Sequence, residues 1–162
     1  MPPVEIKPGI YWIGVNDRTT DLFEGMWPIT QEGVSYNAYL INDTRKVLVD
    51  LAKAFKTDEF LEQIDEVVDA SALDYIAVNH MEPDHSGILR TLCRIAPRAT
   101  ILCSEKARAM LDSFYGITAG IQVVDDGVEI LDDEQITGKS NESDLFAGKK
   151  TLPILYAFEK SP

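Results

Sequence analysis

The densest group of metal-ligating side chains in this 162-residue sequence is His80-Met81-Glu82-Pro83-Asp84-His85, which holds both of the chain's histidines. His80 and Glu82 are two apart, so on an extended segment they project to the same side. Asp84 and His85 are adjacent and can turn toward a neighbouring position, a spacing that suits two metal ions. Imidazole mixed with carboxylate suits iron, manganese or zinc, and the lack of thiolate in the loop disfavours a structural zinc site. The plainer alternative is an ordinary hydrogen-bonded His–Asp pair. Cys93 and Cys103 stand apart from this chemistry, with no C-x-x-C pattern, and are expected to be buried free thiols.

The elements around the loop must place it. The run Tyr75 to Val78 reads as a buried strand, and a helix carrying Ile88, Leu89, Leu92, Ile95 and Ala96 follows and ends before Pro97. The loop thus lies between a strand and a helix, where open α/β sheets place their sites. Upstream, Ile10–Val15, Ser35–Ile41 and Lys46–Asp50 read as strands, the last two as a hairpin turning at Asn42-Asp43. Thr57 is expected to cap a helix with Phe60, Leu61, Ile64, Val67 and Val68 on one face. A strand over 99–103 leads to a helix capped by Ser104 and stopped at Gly116. Ile121–Val124 and Val128–Leu131 read as strands joined by an Asp126-Gly127 turn, and Lys149–Tyr156 as a closing strand. This alternation indicates a layered α/β domain.

Composition sets the bounds. The length suits one domain, and 45% hydrophobic with 26% charged residues is ordinary for a globular chain. A net charge of −12 argues against a nucleic-acid groove. No apolar run reaches the roughly 20 residues of a membrane helix, and the N-terminus has no signal pattern, so cytoplasmic residence is the expectation. From Asp125 to Asp144 there are eight acidic residues and one lysine, so 125–150 is read as an acidic, solvated, variable segment.

The loop resembles the metal motif of the metallo-β-lactamase superfamily, H-x-H-x-D-H, with Glu82 where the hydrolases have histidine. With Pro83 and Ser86-Gly87, that replacement is similar to the flavodiiron proteins (A-type flavoproteins), which reduce oxygen or nitric oxide. Ile10–Gly14, Asp21–Gly25, Gly33–Ile41 and Asp74–His80 also resemble that family, and the likeness runs from about residue 4 to about 131. It implies an α/β fold, the αββα metallo-β-lactamase-like sandwich, of which these residues make about the N-terminal half. It implies that His80 and Glu82 ligate the iron nearer the flavin, and Asp84 and His85 the second iron. It further implies non-haem iron as cofactor, FMN on a separate flavodoxin-like domain or chain, and O2 or NO as substrate. The electron donor would be a rubredoxin-like protein or a flavin reductase, and the assembly a homo-oligomer formed head to tail.

The sequence departs from that family where the next ligand is due. In place of a P-x-x-H-x-P segment stands Ala157–Pro162, with Lys160 at the ligand position, a cation that repels a metal while protonated. Neither a bridging carboxylate nor a flavodoxin-like domain is expected within these 162 residues. Three functions therefore compete: a flavodiiron-type oxidoreductase module; a non-catalytic derivative, either a truncated fragment or a subunit paired with another chain that supplies the missing ligands; and a hydrolase of the wider superfamily. Half a sandwich would also leave an apolar sheet face that needs a partner chain, self-association or the acidic segment to cover it.

Overall fold

Residues 2–23 and 25–124 are described by the structure, a computed structural model. The first eight strands are β1 (Val4–Lys7), β2 (Ile10–Trp12), β3 (Val15–Asp17), β4 (Leu22–Phe23), β5 (Trp27–Pro28), β6 (Val34–Tyr36), β7 (Tyr39–Asn42) and β8 (Lys46–Val49). A 3-10 turn, Ala54–Lys56, then leads into α1 (Thr57–Asp65). The remainder is β9 (Tyr75–Ala77), α2 (Pro83–Ser86), α3 (Leu89–Ile95), β10 (Thr100–Cys103), α4 (Glu105–Met110) and β11 (Ile121–Val123).

Seven of these strands form one sheet in the order β1-β2-β7-β8-β9-β10-β11. Pairing is antiparallel from β1 to β8 and parallel from β8 to β11. Side chains alternate between the faces, and the register carries that alternation across the sheet. Leu40, Leu48, Ile76 and Ile101 are opposed in turn on one face. They join the main core with Phe60 and Ile64 of α1, Leu89 and Leu92 of α3, and Ala107 of α4. Ile41, Val47, Val49, Ala77 and Leu102 fall on the other face, with Ile10. No helix among the described residues adds to that second cluster, yet its members are at most 7% exposed. Tyr39, Tyr75 and Val124 pack beside these side chains.

Several expected elements divide or shift. The Ile10–Val15 run splits into β2 and β3, and Ser35–Ile41 into β6 and β7, because the pair turns a corner out of the large sheet at Gly14. A Cβ there would lie 2.5 Å from the Tyr36 carbonyl oxygen, so only glycine permits so close an approach of the two backbones. Asn16–Gly33, which has no regular sequence pattern, runs from β3 to β6, which pair with each other, and holds the small β4–β5 ribbon between them. Thr57 is not a cap. It is the first residue of α1, and its hydroxyl donates back to the Ala54 carbonyl in the preceding 3-10 turn. Ser104 does cap α4, accepting from the Ala107 amide. Beyond α4 the chain makes a π-helical turn, Leu111–Tyr115, which stops at Gly116 in the left-handed conformation (φ 64°).

Cys103 is buried and Cys93 only half-buried, and both are free. Burial pushes both thiols above the ordinary value. No helix among the described residues is long and apolar enough to cross a membrane. The expected 128–131 and 149–156 strands, the Asp126-Gly127 turn, the acidic segment and Lys160 lie outside the described residues.

Candidate metal centre

The sheet delivers two chain segments to one place. β8 and β9 are parallel and adjacent, so the residues after each, Asp50 to Ala52 and Asn79 to His85, emerge side by side. The backbone there continues the ladder, with the Asp50 amide donating to the Ala77 carbonyl at 2.9 Å. The Leu51 amide then donates to the His85 carbonyl at 3.1 Å, tying the far end of the loop to the same connection. Gly87 permits this contact. A Cβ there would lie 2.6 Å from the Pro83 carbonyl oxygen and 2.8 Å from the Ala54 nitrogen.

Asp50 is the main tether at the loop's start. It has φ 53°, the only non-glycine residue with positive φ among the described residues. Its carboxylate accepts from the Asn79 amide at 2.7 Å, the His80 amide at 3.3 Å and the Asn79 side chain at 3.3 Å. Burial pushes this carboxyl up, against the pull of those donors and of nearby His85.

The ligand-type side chains follow a local pattern. Met81 is buried in the core, while His80 and Glu82 on either side of it are exposed, so the extended segment points both outward as its spacing predicts. Pro83 then starts α2 from Glu82, its fixed φ suiting the first helical position. The short helix carries Asp84 back beneath the two exposed side chains.

The structure brings His80, Glu82 and Asp84 together, with one ligating atom from each lying within 4.8 Å of the other two. His80 Nε2 is 3.4 Å from Glu82 Oε2 and 4.0 Å from Asp84 Oδ1. His85 stands on the other side of Asp84, its Nε2 3.5 Å from Asp84 Oδ2. The two imidazole rings meet edge to face, with centroids 5.4 Å apart. Asp84 thus lies between the histidines rather than with His85 alone.

Among the described residues, three buried side-chain polar atoms have no hydrogen-bond partner, and two are here: Asp84 Oδ1 and His85 Nδ1. A buried carboxylate oxygen without a donor is costly unless a cation supplies the missing partner. The donor set therefore fits a divalent metal ion: imidazole and carboxylate, converging and incompletely hydrogen-bonded.

The residues that hold the loop escaped the sequence reading. Asp50 had a signal, an acidic residue at the carboxyl end of a buried strand. Ser86 stood out only as part of the motif, and Tyr115, whose hydroxyl meets that of Ser86 at 2.7 Å, had no signal, since it arrives through the π turn.

A family model for the ODP family beta lactamases matches residues 34–142. The chain belongs to this family. It is 40% identical over 111 residues to the flavo-diiron protein FprA2 of Clostridium acetobutylicum, covering 68% of this chain and 28% of that one. It is 37% identical over 113 residues to a nitric oxide reductase of Moorella thermoacetica, covering 70% of this chain and 28% of the relative. Among solved structures, rubredoxin oxygen:oxidoreductase from Desulfovibrio gigas superposes with a TM-score of 0.73 at 30% identity, over 78% of this chain and 31% of that one. The ODP-family chain thus spans less than a third of the length of each of these relatives. Its fold is metallo-β-lactamase-like, and the flavodiiron likeness of its sequence extends to its structure.

Proposed function

We propose that the chain supplies the ligand-loop part of a flavodiiron-type oxidoreductase centre that reduces O2 or NO with electrons from FMN. His80, Glu82, Asp84 and His85 would hold non-haem iron, with the FMN on a separate domain or chain. A rubredoxin-like protein or flavin reductase would be the electron donor, and a second copy or a complementing chain would supply further ligands. The observation that carries this reading is the convergence of His80, Glu82 and Asp84 around one point, with a buried Asp84 oxygen lacking any donor. The names of the flavo-diiron, nitric oxide reductase and oxygen:oxidoreductase relatives support the substrate class.

Iron bound there would supply one-electron redox chemistry and open coordination positions for a small diatomic molecule. The protein's own residues do the rest. The exposed His80 and Glu82 leave the centre accessible from solvent, while Asp84, 7% exposed, fixes its base. Two carboxylates balance the charge of a divalent ion, and Asp50 and Leu51 hold the loop ends in register.

The test is titration of the purified chain with ferrous ion under anaerobic conditions, with Zn(II) and Mn(II) as competitors. Saturable iron binding that His80→Ala and Glu82→Ala each weaken by at least about tenfold is expected. Iron binding unchanged in both variants would sink the proposal.

A further inference from the structure

Asp50 and Leu51 hold the ligand loop from one side. A different pair of groups grips its middle. Ser86 is fully buried, and its Oγ lies 2.9 Å from the carbonyl oxygens of both Met81 and Glu82. Those two carbonyls belong to the peptides joining His80, Glu82 and Asp84. A rotation of either peptide would swing Glu82 relative to its neighbours. The Glu82 carbonyl also accepts from the amides of His85 and Ser86, so it is the most heavily used acceptor in the loop.

A serine hydroxyl carries one proton, and the Tyr115 hydroxyl lies 2.7 Å from Ser86 Oγ. With Tyr115 donating, the serine proton is left to the loop carbonyls, and the serine cannot turn away to donate elsewhere. We infer that Tyr115 is a positioning residue for the proposed metal centre, acting through Ser86 on the Met81 and Glu82 carbonyls.

The path by which Tyr115 arrives supports this. Residues Leu111–Tyr115 form a π turn, and such turns cluster at functional sites. One extra residue in a turn rotates everything after it by about 100° relative to a regular helix. The buried Leu111 anchors the start of the turn in the main core, and Tyr115 packs against that core from its end. Phe114 is instead 59% exposed and meets the Tyr115 ring edge-on, at 6.5 Å between centroids. The turn therefore puts the hydroxyl-bearing ring, not its apolar neighbour, against Ser86.

The inference rests on the metal reading, and Co(II) is the probe that separates the two. Co(II) affinity and visible ligand-field absorption would be measured for the wild-type chain, Tyr115→Phe, Ser86→Ala and the double variant. Thermal midpoints in chelator would be measured alongside. Tyr115→Phe is expected to weaken Co(II) binding about tenfold and to alter the absorption bands, leaving the metal-free midpoint nearly unmoved. The double variant should be no worse than Ser86→Ala alone, since the tyrosine acts only through the serine. Should Ser86→Ala fail to fold, the Tyr115→Phe spectrum and affinity decide by themselves. A Tyr115→Phe variant with wild-type spectrum and affinity overturns the inference, whatever its midpoint, and leaves the metal reading intact. Effects that add in the double variant also overturn it. A wild-type chain that binds no Co(II) overturns both.

Discussion

Asp17, at the end of β3, and Asp84, in the short helix α2, are both buried carboxylates, and their surroundings differ in one respect. Asp17 is wholly enclosed and accepts from the amides and hydroxyls of Thr19 and Thr20 and from the Tyr36 hydroxyl. Burial alone would raise its carboxyl, but the threonine donors outweigh that cost and hold it down at about 2. Asp84 is nearly as buried, yet its Oδ1 has no donor, and His80 and His85 stand 4.0 and 3.5 Å from its two oxygens. One carboxylate has been completed by its own chain and the other left incomplete. The first is built for stability, the second for a cation arriving from outside.

This difference can be broken most directly at Asp84. Asp84→Ala is expected to lower ferrous-ion affinity at least about 100-fold, measured by anaerobic titration, because it removes the most buried donor of the cluster. In chelator the same variant should be no less stable than wild type, within about 1 kcal/mol in urea, since it also removes a buried oxygen that has no donor. A large loss of metal-free stability would mean that Asp84 is already satisfied in the folded chain.

Asp17→Ala should do the reverse. It removes the acceptor of the Thr19 and Thr20 donors and of one Tyr36 hydrogen bond, an expected loss of about 3 kcal/mol in the urea midpoint analysis. Metal affinity should stay within about twofold of wild type. A matching fall in metal affinity would join the two regions that the structure keeps apart.

The sequence made one of these aspartates visible and not the other. The Asp84 loop was legible because its chemistry is local: four ligand-type side chains within six residues, between a buried strand and a helix. The parallel half of the sheet was legible for a similar reason, since β8, β9 and β10 are short apolar runs separated by helical periods. Asp17 was hidden because its partner Tyr36 is remote in sequence and is brought near only when β3 pairs with β6. Thr57 misled because a capping-type residue before an apolar period looks the same whether or not a 3-10 turn precedes it. Tyr115 was hidden because a π turn has no signature in residue type.

Acid titration sharpens the comparison further. The Asp17 carboxyl is held below its ordinary value of 3.8 at about 2, so its contribution to stability is present above pH 4 and lost as pH falls toward 2. A shift of that size corresponds to about 2 kcal/mol. In chelator, wild type should therefore lose about 2 kcal/mol more than Asp17→Asn between pH 5 and pH 2, as read from urea midpoints. Parallel pH profiles for the two proteins would show that the threonine bonds do not favour the charged form.

Asp50 combines the features of both sites and gives the smallest expected effect. Its carboxylate is satisfied by Asn79 and His80, yet burial raises it, so ionisation carries a cost at neutral pH. Asp50→Asn keeps an oxygen for the two amides and tolerates the left-handed backbone at φ 53°. Stability at pH 7 should change by less than about 1 kcal/mol, and metal affinity by less than about threefold. Asp50→Gly relieves the backbone strain but leaves the Asn79 and His80 amides without their acceptor, so the start of the ligand loop is released. It should be the weaker metal binder of the two, by up to about tenfold, even where its metal-free stability matches that of the asparagine variant. Equal metal affinities for the two variants would show that the hydrogen bonds from Asp50 do not position His80.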